Sequence, residues 1–304
     1  MSDLQGNYAE SALRRVLVAT DFSEGAAVAV RRAFELAAPH GAHVTVVHVA
    51  PRGVAAEIMN TAEDGLRQLV RDAPVPADTL LTTGAPSARI AAEAERSEAD
   101  LVVVGAHGAH WLRDVFIGST AEMVVAASEV PVLLVKGPAD AGYSTVLLAV
   151  EATRQSFQAA RFGLALTPTA RHVLAHAVTV LGENLLRLNG ADDRGIDELR
   201  RGQLDLVRPH IERLARELTP APAEVTVEPA RPEVLVSTLA GSCEAEMLVV
   251  GTERGAGIRR ALLGSVSRHA MQRAPCDVLV VPLEPAAARA DISGMLRGQQ
   301  DMRS

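Results

Sequence analysis

The sequence predicts an α/β fold built from two repeated domains, each an open, mostly parallel sheet of five strands. Three observations support this prediction. Strand-like and helix-like segments alternate along the chain, the apolar runs are near-continuous, and the second half repeats the first. Parallel strands are buried on both faces, so continuous runs of Val, Ala and Leu suit a sheet that helices cover on both sides.

The repeat becomes visible when the two halves of the chain are compared. The first half opens with "RRVLVATDFSEGAAVAVRRAFELA" and the second with "STVLLAVEATRQSFQAARFGLAL", each a strand, a polar turn and an amphipathic helix. From Gly84 onward the halves align without a gap, so that Gly118 matches Gly264. We therefore expect two copies of one domain rather than a solenoid of many repeats.

The domain limits follow from this repeat and from a small, polar, turn-forming stretch at residues 137–144. The expected segments are an N-terminal tail at 1–12, a first domain at 13–138, a second domain at 143–284 and a C-terminal tail at 285–304.

Each element of the first domain has its own signal. The strands are expected near five apolar runs: Val16–Thr20, His43–Val49, Thr79–Thr83, Leu101–Gly105 and Val132–Val135. The helix after the first strand has an apolar stripe at helical spacing, and Gly41 is its stop signal. The stripe is formed by Ala26, Val30, Ala33, Phe34 and Ala37.

The second domain contains a longer amphipathic helix. Its expected apolar stripe is formed by Ile196, Leu199, Val207, Ile211, Leu214 and Leu218. We expect the two domains to pack edge strand to edge strand about a pseudo-two-fold axis, because an unpaired edge is a liability. One chain would then form an internal pseudo-dimer, and a further homodimer remains open.

Composition and charge exclude several classes of function. The net charge of −7 argues against a nucleic-acid surface, and local Arg pairs are expected on solvated helix faces. These pairs are Arg31–Arg32, Arg200–Arg201 and Arg259–Arg260. No apolar run reaches the roughly 18 residues of a membrane span, and the N-terminus lacks a signal-peptide segment, so we expect a cytoplasmic protein. Cys243 and Cys276 lie far apart in sequence and are expected to be small core residues.

The candidate site lies beyond the carboxyl ends of the strands, where open α/β sheets bind ligands. Asp21 follows the first strand, Val49 closes the second, Gly84 follows the third and Gly105 ends the fourth. Glycine permits positive φ and close approach of a ligand to the backbone. These residues are distant in sequence but should meet along one rim of the sheet.

A phosphate cradle is expected in the stretch that follows Gly105. Gly105 and Gly108 could present successive N–H groups to an anion. Gly118 then leads into a helix near Ser119, whose free N–H groups and positive dipole end attract phosphate. The hydroxyls of Ser119 and Thr120 would add donors.

Simpler interpretations of the same residues stay open. Ser119 and Glu122 fit the S-x-x-E capping box, and Asp21 could merely help to start a helix. His107 and His110 lack a third metal ligand, so we favour no metal site, although His107 could line a phosphate pocket. His48 and His176 are expected to be satisfied, partly buried histidines at strand ends.

The sequence shows no signature of a catalyst. A GxSxG elbow and a Walker A motif are both absent, and no Lys lies near the expected phosphate loop of the first domain. Catalysed phosphoryl transfer would be expected to use such cations besides a metal ion.

Together these motifs resemble the universal stress protein family in a tandem arrangement, over about residues 13–283. Gly105, Gly108, Gly118 and Ser119 match the family's ATP-binding pattern, G-x2-G-x9-G-[ST]. "ATDFSEGA" and "VVHV" match its first two strands. The resemblance implies an adenine nucleotide alpha hydrolase-like, Rossmann-like fold.

The resemblance also implies a ligand and a role for each matching residue. The ligand would be ATP with Mg²⁺, with AMP and ADP as alternatives. The implied contacts are Ala19, Thr20 and Val49 to the adenine, Asp21 and Gly105 to the ribose, and His107, Gly108, Gly118, Ser119 and Thr120 to the phosphates.

The implied function is that of a stress-response regulator without catalytic residues. ATP would order the loop between Gly105 and Gly118 and change a surface that an unidentified protein partner reads. The alternatives are a slow ATP hydrolase and a nucleotide-free interaction protein.

The second domain departs from the family pattern. Glu151 replaces the aspartate, Arg254 stands at the second glycine position, and Arg268 occupies the place of Glu122. Gly251, Gly264 and Ser265 remain. We therefore expect nucleotide in the first domain, and weak binding or a structural role in the second.

Overall fold

A computed structural model describes residues 13–106, 118–138, 141–179, 193–253 and 263–283. The first half contains β1 (Arg15–Ala19), α1 (Glu24–Ala37), β2 (His43–Ala50), α2 (Ala56–Val70), β3 (Ala77–Thr83), α3 (Pro86–Arg96), β4 (Leu101–Gly105), α4 (Ser119–Ala127) and β5 (Val132–Val135). The second half contains β6 (Thr145–Ala149), α5 (Ser156–Leu166), β7 (Arg171–Val178), α6 (Asp193–Arg216), β8 (Glu224–Pro229), α7 (Pro232–Ser242), β9 (Met247–Glu253), α8 (Ser265–Arg273) and β10 (Asp277–Leu283).

The strands form one sheet in the order β3-β2-β1-β4-β5-β10-β9-β6-β7-β8. Each half contributes five neighbouring strands, and all pairs within a half are parallel. The two halves meet where β5 and β10 pair antiparallel. The predicted fold class, two open and mostly parallel five-stranded sheets packed as a pseudo-dimer, is confirmed.

The register of this central pair locates the pseudo-two-fold axis. Leu133 of β5 pairs with Leu279 of β10. These leucines also occupy equivalent positions in the gapless alignment of the two halves. A residue that pairs with its own equivalent lies on the axis, so the axis passes between Leu133 and Leu279.

Helices cover both faces of the sheet, and the strands alternate between two apolar layers. In β1, Val16 and Val18 belong to the layer beneath α1, α2, α5 and α6, whereas Leu17 belongs to the layer beneath α3, α4, α7 and α8. All five residues of the predicted α1 stripe are buried. Gly41 has a φ of 61°, which supports its predicted role as a stop.

The predicted stripe of the long helix α6 is wrong at Leu199, and Leu218, although buried, lies beyond the helix end at Arg216. Ile196 and Ile211 are fully buried, but Leu199 is 46% exposed. Counted at about 100° per residue, Leu199 lies at the edge of the stripe, turned away from Ile211. Hydrophobic spacing identified the helix face but not its limit.

The prediction that Arg31 and Arg32 lie on a solvated face is wrong for Arg32. Arg31 is exposed, but Arg32 is only 4% exposed. Its guanidinium donates hydrogen bonds to the carbonyls of Pro138 and Ala141, at 2.7 and 2.6 Å, in the segment between the domains. Helix α1 therefore carries a buried cation to the domain junction. Arg201 is exposed, Arg200 is partly buried, and Arg259–Arg260 lie outside the described residues.

Asp277, at the start of β10, is the hydrogen-bond acceptor that several polar groups of this junction share. It is 1% exposed and accepts hydrogen bonds from the backbone N–H groups of Lys136 and Gly137, at 2.7 and 2.9 Å, and from the Tyr143 hydroxyl. Nε of Arg32 lies 3.5 Å from its carboxylate, and the guanidinium stacks 4.2 Å above the Tyr143 ring. Burial raises the pKa of Tyr143, which keeps the hydroxyl protonated as a donor.

Lys136, the only lysine of the chain, reaches from the first half into the second. Its ammonium donates to the carbonyls of Ala270 and Ala274, at 3.3 and 3.1 Å, at the end of α8. A cation suits a helix C-terminus, but the site is poorly hydrated. Burial lowers the pKa of Lys136 from 10.5 to about 8.

The lowered pKa predicts a rise in stability with alkaline pH. Between pH 8 and 10.5 the unfolded chain binds a proton at Lys136 that the folded chain has released, so stability increases with pH in this window. Lys136→Met lacks this titrating group. Between pH 8 and 10.5, the unfolding free energy of the wild-type chain should therefore rise by about 3 kcal/mol relative to that of Lys136→Met. Urea unfolding at a series of pH values measures this shift, and parallel curves for the two chains would contradict it.

The cysteines follow their prediction in part. Cys276 is buried in the core, where burial raises the pKa of its thiol to about 12. Cys243 is only half-buried, at the end of α7, where it lines a cavity of about 310 Å³ together with Arg171 and Glu224. Within the described ranges, no helix is long and apolar enough to cross a membrane.

Candidate functional site

A tight turn joins β1 to α1 at the carboxyl edge of the sheet. The hydroxyl of Thr20 accepts a hydrogen bond from the N–H of Phe22, and the carboxylate of Asp21 accepts one from the N–H of Ser23, both at 3.0 Å. Ser23 then caps α1 by accepting from the N–H of Ala26 at 3.2 Å. Asp21 thus helps to start the helix and is also exposed at the rim.

Phe22, in the middle of this turn, was not singled out by the sequence. Its φ of 63° is unusual for a residue with a side chain. The ring is 43% exposed, lies 4.6 Å from the His48 ring and contacts Gly65 of α2. This contact and the bond to Thr20 hold the strained turn, so that Asp21 is presented at a fixed place on the rim.

The predicted adenine contacts lie at the ends of β1 and β2. Thr20 donates its N–H to the carbonyl of Val47 and accepts the ring N–H of His48 at 2.8 Å. The carbonyl oxygen of Thr20 has a second lone pair that can accept another hydrogen bond. The N–H of Thr20 is already used in the bond to Val47. Ala19 ends β1, and Val49 lies in the neighbouring strand and is largely buried.

His48 and its equivalent in the second domain are satisfied, as predicted. Nδ1 of His176 bonds to the carbonyl of Val150 at 2.9 Å, which repeats the contact of His48. Burial lowers the pKa of His176, which favours the neutral ring.

Gly105, at the end of β4, is packed tightly against the start of α1. A Cβ at this position would lie 3.1 Å from the carbonyl oxygen of Gly25, in the first turn of α1. Its φ is not in the positive region, so conformational freedom does not explain this glycine. The close approach brings the end of β4 against the helix that begins just after Asp21.

The ends of the expected phosphate loop meet at its base. The N–H of Gly118 donates to the carbonyl of Ala106 at 2.8 Å, and Ala106 donates to the carbonyl of Val135 at 2.9 Å. The start of α4 is therefore fixed beside the end of β4. His107, Gly108 and His110, predicted within the loop, lie outside the described residues.

The capping box predicted for Ser119 and Glu122 does not form. Gly118 is the N-cap of α4 and offers no side-chain hydrogen bond, so Ser119 is the first helical residue. The box requires the Ser hydroxyl at the cap position, and here it stands one residue too late. The hydroxyls of Ser119 and Thr120 belong to exposed residues at a helix start without a side-chain cap.

This arrangement fits a phosphorylated ligand. A helix start with no side-chain cap carries free N–H groups and the positive end of the dipole, and exposed hydroxyls stand beside it. Asp21 is an acceptor on the same rim, suited to ribose hydroxyls. Among the residues that the structure describes, no cluster of three or more His, Cys, Asp or Glu side chains could hold a metal ion.

The equivalent rim of the second domain is filled differently. Strand β9 continues two residues beyond Gly251, and a Cβ at Gly251 would lie 2.6 Å from the side chain of Leu283. The first domain has Gly137 at the position of Leu283. Leu283 therefore packs against Gly251, whereas the equivalent Gly105 packs against the backbone of Gly25.

Known proteins resemble this chain in sequence and in fold. The model of the universal stress protein family matches residues 12–136 and 142–282. A universal stress protein of Methanocaldococcus jannaschii is 30% identical over 145 residues, which cover 42% of this chain and 85% of the relative.

Solved structures show the same fold at low sequence identity. A universal stress protein from Archaeoglobus fulgidus matches with a TM-score of 0.63 and 19% identity, covering 88% of this chain and 98% of the other. A putative universal stress protein from Pseudomonas aeruginosa matches with a TM-score of 0.66 and 17% identity, covering 90% and 94%. Both alignments span the two halves of the chain.

Proposed function

The chain belongs to the universal stress protein family, and we propose that its first domain is a regulatory site that binds ATP. The observation that carries the proposal is the hydrogen bond between Gly118 and Ala106. This bond fixes the start of α4 beside the end of β4, which also contacts the helix that follows Asp21. Donors for phosphate and an acceptor for ribose therefore share one rim.

Each group has a distinct task in this proposal. The free N–H groups of α4 and the hydroxyls of Ser119 and Thr120 would bind the phosphates. Asp21 would accept hydrogen bonds from the ribose, and the ends of β1 and β2 would border the adenine. Mg²⁺ would be held mainly through the phosphates, as this ion usually is.

We propose that ATP acts as a signal and is hydrolysed slowly at most. Nucleotide at a hundred times its dissociation constant would stabilise the fold by about 2.7 kcal/mol, and a protein partner would respond to the bound form. Steady-state turnover above about one per second would instead indicate an enzyme.

Replacing Asp21 with Asn should weaken ATP binding by about 10- to 100-fold, because a charged hydrogen-bond acceptor is lost. Asn keeps an oxygen that can accept the N–H of Ser23, so the turn should survive. Isothermal titration calorimetry of the full chain with ATP and Mg²⁺ measures the effect. Glu151→Gln, the equivalent change in the second domain, is the matched control and should leave affinity unchanged. Equal binding by Asp21→Asn and wild type would refute the proposed site.

A further inference from the structure

In the second domain, α7 and α8 begin side by side at the carboxyl edge of the sheet, and two polar contacts join them. Glu233 lies in the first turn of α7 and Ser265 is the first residue of α8, and a hydrogen bond from the Ser265 side chain is the main influence that lowers the pKa of Glu233. One turn further along, the hydroxyl of Ser237 lies 2.9 Å from Nε2 of His269. Ser237 follows Glu233 by four positions, and His269 follows Ser265 by four positions. The two contacts therefore lie one helical turn apart between parallel helices.

The first domain has the same pair of helices, and it differs from the second at most of these positions. Ser87 of α3 is the equivalent of Glu233, Ser119 is the equivalent of Ser265, and Met123 is the equivalent of His269. The contact here is a weak one, with the Ser87 hydroxyl 4.0 Å from the sulfur of Met123. The first domain thus places a neutral hydroxyl where the second places a carboxylate.

The position of Glu233 matters because a helix start attracts anions. Gly264, the N-cap of α8, provides no side-chain hydrogen bond, as Gly118 provides none to α4, and the first N–H groups of a helix have no partner within the helix. A glutamate of ordinary pKa is already ionised at neutral pH, and the hydrogen bond from Ser265 further favours the charged form of Glu233. A negative charge therefore stands beside the start of α8, the end of a helix that attracts phosphate.

We propose that Glu233 is the specificity-determining residue that excludes phosphate groups from the second domain. Its carboxylate takes the place of a ligand phosphate beside α8 and repels any phosphate that approaches. This explains how two similar helix starts come to differ in function, and it rests on the proposed nucleotide site of the first domain. Glu233 acts in addition to Leu283, which covers Gly251 from the other layer of the core.

The first test moves the charge into the first domain. Ser87→Glu should weaken ATP binding by at least about tenfold, because the new carboxylate can reach Ser119 as Glu233 reaches Ser265. Ser87→Gln has the same size without the charge, and it should bind within about threefold of wild type. Calorimetry of the full chain measures both, with thermal unfolding as the check of folding. Equal affinities for Ser87→Glu and Ser87→Gln would overturn the inference.

The second test does not depend on an adenine site. Glu233→Gln should bind inorganic triphosphate in the second domain at least about tenfold more tightly than the wild-type second domain does, and so show one more measurable site than wild type. Identical triphosphate titrations of the two chains would overturn the inference. If wild type binds no ATP, the proposed function fails by itself, and the comparison of Glu233→Gln with wild type still decides the role of Glu233.

Discussion

Replacing Asp277 with Ala should lower the free energy of unfolding by about 3–5 kcal/mol, as expected when one partner of a buried charged network is removed. Asp277 is 1% exposed and faces the buried guanidinium of Arg32. Its loss would leave the N–H groups of Lys136 and Gly137 and the hydroxyl of Tyr143 without their acceptor. These groups belong to the segment between the domains, so the junction should loosen first.

Urea unfolding of the full chain measures this loss, and two variants locate its cause. Asp277→Asn keeps an acceptor oxygen without the charge and should lose less stability than Asp277→Ala. Glu35→Ala removes the partly exposed partner of Arg32, 2.8 Å from its Nη1, and should cost less than about 1 kcal/mol. If Asp277→Ala unfolds like Glu35→Ala, the buried network does not stabilise the junction.

The strands were predictable because their signal is local. Parallel strands buried on both faces require apolar residues at every position, and such runs end where burial ends. The expected limits Leu101–Gly105 and Val132–Val135 match β4 and β5 as observed. The gapless repeat extended this prediction to the second domain, and the antiparallel pairing of β5 with β10 follows from two similar edges meeting about an axis.

Arg32 could not be predicted from its own helix. Its partners Pro138, Ala141 and Asp277 lie more than 100 positions away in sequence, beyond the reach of helical periodicity. In the second half Phe162 takes the position of Arg32 in α1, so even the repeat gives no hint of a buried cation. Leu199 is the opposite case. Helical spacing predicted it on the apolar stripe of α6, but its side chain is exposed.

The parts of the candidate site that depend on sheet topology were predictable from the sequence. The parts that depend on the exact residue at which a helix begins were not. The rule that ligands bind beyond strand ends selected Asp21 and Gly105, which the structure brings to one rim. The capping box failed because S-x-x-E does not reveal whether the serine is the cap or the first helical residue. Glu233 carries meaning only once α7 and α8 are known to begin side by side, and comparison with Ser87 was the one signal that pointed to it.

Leu133→Asp should have the largest effect of any substitution considered, with a loss on the order of 5 kcal/mol or more. Leu133 has no exposed surface and lies at the pseudo-two-fold axis beside Leu279, which is also fully buried. The substitution removes a core side chain and buries a charge that has no partner at this position. An ordinary domain has only about 5–15 kcal/mol of stability, so the variant should be unfolded or insoluble at physiological temperature.

The same substitution at Leu199 is the matched control, because Leu199 belongs to a helix but is 46% exposed. Leu199→Asp should change the unfolding free energy by less than about 0.5 kcal/mol. Circular dichroism and thermal unfolding measure the helix content and melting temperature of both variants. Because both carry a Leu→Asp change, the difference between them reports the effect of burial at the axis. A Leu133→Asp chain that melts with the wild type would mean that Leu133 is not buried in solution as the structure has it. Retention of one cooperative half alone would instead show that each domain folds independently and that the axis contributes only the interface between them.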